Sequence, residues 1–133
     1  VQVNTDTDAV ESLSREVSPF GIRALLVEPG TFRTDLLAET NRKMAQSKFD
    51  DYNDLREAVE RGFADLNGNQ TGDTVKGVSR IIDIVKGENG TAGKDWPYQL
   101  PIGSDAVAFI RKKCEDTLRE LDLWEGIAPS TDF

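Results

Sequence analysis

Apolar positions in this chain recur at helical spacing in several stretches and run together in one. Val10, Leu13 and Val17 fall at i, i+3 and i+7, a single stripe along a helix. That helix is expected to start near Asp6 or Asp8, either of which could cap it. Ser18-Pro19-Phe20-Gly21 ends it, because proline blocks continuation and glycine permits the turn. Ile22-Arg23-Ala24-Leu25-Leu26-Val27-Glu28 then reads as a strand buried on both faces of a parallel sheet, and Pro29-Gly30 breaks it.

From Thr34 the pattern turns helical, with Leu36, Leu37, Ala38 and Met44 expected on the buried side. The polar stretch from Ala45 to Asn53 reads as a bend. Leu55, Val59, Phe63 and Leu66 predict a further helix that stops at Asn67-Gly68-Asn69. Asp73 is expected to cap the next one, where Val75, Val78, Ile81, Ile82 and Val85 form the strongest amphipathic stripe, with Gly87 as its C-terminal cap. Glycines at 87, 90 and 93 imitate a dinucleotide fingerprint, but they follow a helix and precede Trp96-Pro97, so they read as a loop. Tyr98 to Ile102 predicts a short strand. Ser104 is expected to cap the last helix, with Val107, Ile110, Cys114, Leu118 and Leu121 on one core-facing side and a frayed tail after Trp124. There is no internal repeat or low-complexity region.

Composition narrows the functional classes. The chain has 133 residues, room for a single core, and 38% of them are hydrophobic and 30% charged, which suits a folded protein. A formal charge of −8 disfavours nucleic acid and anionic membranes as partners. The longest strongly apolar run, Ala24 to Val27, is far too short to span a bilayer. No signal-peptide pattern opens the chain, and the lack of an initiator methionine suggests processing or excision. The one cysteine excludes an internal disulfide and fits a reducing, cytoplasmic setting.

Histidine is absent, which removes His-dependent triads and the commonest zinc ligand, and no metal site is expected. Cys114 reads as a core residue, having no visible activating neighbour.

Three segments resemble one family. Ala9 to Arg23 resembles the end of the long helix that follows the catalytic lysine in short-chain dehydrogenases/reductases, with the strand after it. Val27-Glu28-Pro29-Gly30-Thr31-Phe32-Arg33-Thr34-Asp35 resembles that family's turn beside the nicotinamide. Leu100-Pro101-Ile102-Gly103-Ser104-Asp105-Ala106-Val107 resembles its last short strand and helix. Their order and spacing match as well. The resemblance covers residues 8–124 and implies the C-terminal half of such a fold: an α/β, Rossmann-like, helix-rich partial domain over 1–133 with about two parallel strands. The segment 35–67 would be its substrate-pocket insert.

By the same resemblance the ancestral activity is nicotinamide-dependent oxidoreduction with NAD or NADP. Pro29 and Gly30 would line the nicotinamide, the backbone of Phe32 would bind its carboxamide, and Thr34 would add a hydrogen bond. Read without the family, Pro29-Gly30 merely ends a strand and Thr34 merely caps a helix. The family's catalytic Tyr and Lys fall at Val3 and Thr7, neither of which can serve, so no catalytic residue is assigned and the chain alone is expected to be inactive as a dehydrogenase. The glycine-rich phosphate loop belongs to the other half. The alternative is a non-redox protein, or a cofactor-independent catalyst, that binds an apolar small molecule or a partner on the same scaffold; Leu36, Leu37, Met44, Phe49, Leu55 and Phe63 suit such a ligand. Left alone, the apolar strand would have open edges, so a homo-oligomer or a complementary chain is expected.

Overall fold

The computed structural model describes residues 5–43 and 49–133. Val3 and Met44 lie outside the described residues. The chain divides into two compact units, one made of Val1–Gly30 with Lys94–Phe133 and the other of Thr31–Gly93.

The first unit holds α1 (Thr5–Val17), β1 (Leu26–Pro29), β2 (Gln99–Ile102) and α4 (Ser104–Trp124). Helix α1 begins at Thr5, so Asp6 and Asp8 lie inside it rather than capping it. A 3-10 turn over Ser18–Phe20 closes it, and Gly21, at φ 71°, has the left-handed geometry that made glycine the expected residue there.

β1 and β2 pair in parallel, with Leu26 opposite Gln99 and Pro29 opposite Ile102. The strand is shorter than the seven apolar-rich residues suggested. Its ladder starts where Leu26 N donates to Tyr98 O at 2.9 Å and finishes where Gly30 N donates to Ile102 O at 2.8 Å. The next bond backwards would run from Tyr98 N to Ala24 O, but that carbonyl accepts instead from the indole Nε1 of Trp96 at 2.7 Å. Arg23 stacks its guanidinium 4.1 Å above the same ring.

Even-numbered residues carry the bonds at both ends of the ladder, so the period of two turns the backbone groups of Val27, Pro29, Gln99 and Pro101 to the outer edges. Each outer edge thus contains a proline, which withholds a donor from any further strand. β1 is half-buried rather than buried on both faces, because a two-stranded sheet has no neighbours to cover it.

Helix α4 is capped by the backbone of Gly103 and not by the Ser104 side chain, which is already the first helical residue. Its expected core face is largely wet: Leu118 and Leu121 are each 61% exposed, and Cys114 is exposed, not a core residue. Asp116 accepts from Lys112 and pairs with Arg119 at 3.0 Å, and the Lys112 hydrogen bond first, then both positive charges, hold its carboxyl below the usual range. The tail is not wholly frayed, since Ala128–Thr131 forms a 3-10 turn.

The second unit holds α2 (Asn53–Leu66) and α3 (Thr74–Lys86). The helix expected from Thr34 shrinks to one 3-10 turn, Asp35–Leu37, with Leu36 exposed. Residue 32 makes a parallel bridge to Gly72. The Phe32 ring lies against α3 at Gly77, which explains why the buried side of that helix runs through Gly77, Ile81 and Ile84. The predicted stripe was offset: Val75, Val78, Ile82 and Val85 are exposed. On the same unit Arg42 bonds Glu60 at 3.0 Å and packs over the Phe63 ring, tying the segment before α2 to that helix.

Asp73 caps α3 as expected, accepting from Lys76 N at 3.1 Å, and Gly87 at φ 71° closes the other end with bonds to Asp83 O and Ile84 O. That backbone hydrogen bond, with Lys76's charge beside it, holds the Asp73 carboxyl below its usual range. A depressed carboxyl stabilises the fold above its unfolded pKa, and the benefit disappears as pH falls through the folded value. Asp73→Asn, which still caps, should therefore keep the neutral melting temperature while flattening its fall on acidification below the usual carboxylate range; Asp73→Ala should lower it already at pH 7. Thermal melts against pH read both.

Two helical glycines make a second prediction. A methyl group at Gly77 would sit 2.5 Å from Phe32 Cε1, whereas one at Gly62 in α2 meets nothing within 4 Å. Gly77→Ala should destabilise by about 1–3 kcal/mol through overpacking. Gly62→Ala should stabilise by about 0.5–1 kcal/mol through helix propensity. Denaturant titration of the two variants checks the opposite signs.

Candidate functional site

The four residues expected from the sequence lie within residues 29–34, where the chain leaves β1, with Pro29 and Gly30 in the first unit and Phe32 and Thr34 in the second. Pro29 is the last strand residue, and Gly30 N bonds Ile102 O at 2.8 Å, so the turn starts at the C-terminal end of the parallel pair. Open parallel α/β sheets hold their ligands at that end of their strands.

Gly30 does not take a left-handed φ. Its lack of a side chain leaves room for a neighbouring residue. A methyl group there would penetrate the Asp105 carboxylate, 2.5 Å from Cγ and 2.7 Å from Oδ2. With Asp105 in its present position, the glycine leaves room for a neighbour inside its own unit.

Phe32 is held by its flanking residues. Gly72 N donates to Thr31 O and Arg33 N donates to Gly72 O, both at 2.9 Å. In a parallel bridge those bonds belong to the residues on either side, so Phe32's own N–H and C=O face away from Gly72. Neither has a hydrogen-bond partner among the described residues. A peptide group that offers one donor and one acceptor on the same residue suits a primary carboxamide, which can use both.

The register of this segment is secured twice more, by Arg33 Nη2 to Gln70 O at 3.1 Å and by Thr74 Oγ1 to Arg33 O at 3.0 Å. Thr34 Oγ1 accepts from Leu36 N at 3.4 Å, the capping role available to it on sequence grounds. Its hydroxyl proton stays available for a second partner.

A shallow depression of about 490 Å³ surrounds the start of α3, lined by Arg33, Gln70, Gly72, Thr74 and Lys76. Asp73 already occupies the exposed N–H groups of that helix end, which closes it to an anion. The apolar residues of the insert do not gather into a core: Leu36, Phe49 and Leu55 are 73%, 67% and 63% exposed. Thr7, at the position where the family resemblance puts a lysine, accepts a hydrogen bond on Oγ1 from Gln99 Nε2 of β2 at 2.8 Å. Among the described residues no group of His, Cys, Asp and Glu could hold a metal ion, and no helix is long and apolar enough to cross a membrane.

What sequence reasoning missed is Asp105. It lies in the third family-like segment but was given no role there, and only the two glycines that make room for it, Gly30 and Gly103, single it out.

With four helices and two parallel strands among the described residues, the chain is an α/β protein that structurally matches a short-chain dehydrogenase, and it is related to the short-chain dehydrogenase/oxidoreductase family over most of its length. The crystal structure of a short-chain dehydrogenase from Streptomyces avermitilis matches 96% of the chain with a TM-score of 0.72 and 30% identity. Oxidoreductase BOA17 of Botryotinia fuckeliana (strain B05.10) is 28% identical over 116 residues, 87% of the chain. The chain spans 43% of the first protein and 39% of the second. No protein-family model matches it.

Proposed function

We propose that this chain is the C-terminal half of a short-chain dehydrogenase/reductase fold and carries the nicotinamide-facing side of its cofactor site. The observation that carries this reading is the Phe32 peptide group, unpaired and turned outward two residues beyond the Gly30 turn. The relation to a short-chain dehydrogenase and an oxidoreductase, each more than twice as long, supports the assignment to one half. In this reading Pro29 and Gly30 border the nicotinamide, Phe32 N–H and C=O hold its carboxamide, and the Thr34 hydroxyl donates to the same group. NAD or NADP, when bound, supplies the hydride; these residues bind and orient. A cytoplasmic setting belongs to the same reading, on the single cysteine.

Proton transfer needs groups this chain does not offer at the matching positions. Valine at 3 has no exchangeable proton, and threonine at 7 has no charge with which to lower a tyrosine's pKa. The purified chain should therefore show no NADH or NADPH oxidation against a panel of carbonyl compounds. The Val3→Tyr, Thr7→Lys double variant should stay inactive for want of a phosphate-binding loop among these residues. Absorbance at the reduced-nicotinamide band follows both, and turnover by the pure protein would overturn the assignment of an incomplete catalytic unit.

One observation favours a second, non-redox reading as a partner-binding scaffold. Among the described residues no hydrophobic side chain is buried, while Ile22, Val78, Leu118 and Leu121 are all more than half exposed. Full burial of each such side chain is worth about 1.5–3 kcal/mol, against a usual total stability of about 5–15 kcal/mol. A covering surface, whether a second copy or a complementary chain, would recover that stability. Sedimentation of the pure chain at micromolar concentration should give species heavier than 14.7 kDa. A single 14.7 kDa species with a cooperative melt would count against self-association.

A further inference from the structure

We propose that Asp105 is the positioning residue of the cofactor turn: its carboxylate, lodged between Gly30 and Gly103, fixes where Pro29–Gly30 stands at the end of the parallel strand pair. The inference rests on the reading of that turn as nicotinamide-facing, and it concerns a residue that touches the turn, not the reacting atoms.

Three observations within the first unit carry it. Side chains are excluded at both glycines by the same carboxylate: a methyl group at Gly30 would lie 2.7 Å from Oδ2, and one at Gly103 would lie 2.6 Å from Oδ1. Both distances are shorter than carbon and oxygen tolerate. A methyl group at Gly103 would also lie only 3.6 Å from Gly30 N and 3.7 Å from Gly30 Cα, so two backbone segments and one carboxylate meet in the same space. Gly103 further has φ 109°, a conformation that side chains rarely adopt.

The carboxylate is well supported from behind. Asp105 is the second residue of a 21-residue helix, in the first turn, where the unpaired N–H groups favour negative charge. It is only partly exposed. The start of the helix therefore sets a carboxylate against the turn, while the Gly30 N to Ile102 O bond holds the same residue from the strand side. A residue held on two sides keeps its place at the end of the strand pair, and groups that orient a reactant work only in a defined geometry.

The test uses the whole chain, isotope-labelled, with Asp105→Ala, Asp105→Asn, Gly30→Ala and the Gly30→Ala, Asp105→Ala pair. Thermal melts read the contact, amide resonances of Gly30 and Gly103 read the turn, and titration with reduced nicotinamide mononucleotide reads its function. Gly30→Ala should lower the melting temperature in the native background and cost less than half as much once Asp105 is alanine. Asp105→Ala should displace both glycine amides and weaken mononucleotide binding about tenfold, the worth of roughly one well-placed polar interaction. Asp105→Asn, with the same shape, should restore most of both. If Asp105→Ala does not fold, Asp105→Ser carries the same comparison against Asp105→Asn.

Additive effects of the two substitutions would overturn the contact itself. Unchanged mononucleotide affinity in a folded Asp105→Ala protein would overturn the positioning role. A native chain that does not bind the mononucleotide would also overturn that role. In that case, intact coupling between Gly30 and Asp105 identifies the cofactor reading, rather than the contact, as the part that failed.

Discussion

The eight-residue parallel ladder between Leu26–Pro29 and Gln99–Ile102 is the constraint on which the first unit depends. It joins two chain segments some seventy residues apart, so the backbone must close a long loop before the pairing returns anything. Four residues on each side can return little. The strands have no sheet around them, their side chains are half-buried at best, and the apolar faces of the flanking helices stay in water. The surrounding devices make physical sense as reinforcements of a short seam. The Trp96 indole on Ala24 O extends it by one side-chain bond beyond Pro97, Arg23 covers that indole, and Asp105 wedges the far end. Prolines 29 and 101 stand at the outward positions, where they reduce further strand addition without removing a bond from the seam.

The order of elements was legible from the sequence because it rests on local chemistry. Pro19 and Gly21 end α1, Asp73 and Gly87 bracket α3, and Pro29-Gly30 terminates β1; each works within a few residues of itself. The parallel strand pairing followed from the family resemblance and is present. What could not be read was which face each helix buries, since that is set by a partner remote in sequence. The predicted α3 stripe through Val75, Val78 and Ile82 had the right period and the wrong phase. Glycine carries no hydrophobicity, so nothing marked Gly77 as the centre of the buried side until the Phe32 ring was seen against it. The α4 face failed differently. Val107, Leu118 and Leu121 are aligned as expected and remain exposed, because a stripe records what a helix can cover and not whether a cover is present.

The candidate site shows the same division. Pro29, Gly30, Phe32 and Thr34 were picked as one string of sequence, and the local roles of Pro29 and Thr34, strand end and helix cap, are visible in the structure. Phe32 turned out to be fixed by a bridge to Gly72, forty residues on, through a register that no short motif encodes. The outward peptide group is a by-product of that register: had the bridge slipped by one residue, Phe32 N–H and C=O would be consumed and those of its neighbours would face outward.

Gly30 shows how one glycine can answer to two different demands. A glycine after a strand suggests either a sharp turn or a ligand close to the backbone, and both are statements about the space in front of it. Here the φ is ordinary and the space is filled from within by a carboxylate of the next helix. The two explanations make different demands on the chain. A glycine kept open for a ligand ties the residue to the ligand, whereas a glycine kept open for Asp105 ties it to Gly103 and to the start of α4. In the second case the turn has a backing that does not depend on anything bound. That ordering has a physical consequence for a cofactor site, because a turn braced by its own protein meets its ligand already in place and loses less conformational entropy on binding. The same brace would persist if the scaffold served a partner instead of a nicotinamide, which is why the packing of Asp105 is a property of the fold and only its effect on binding separates the two functions.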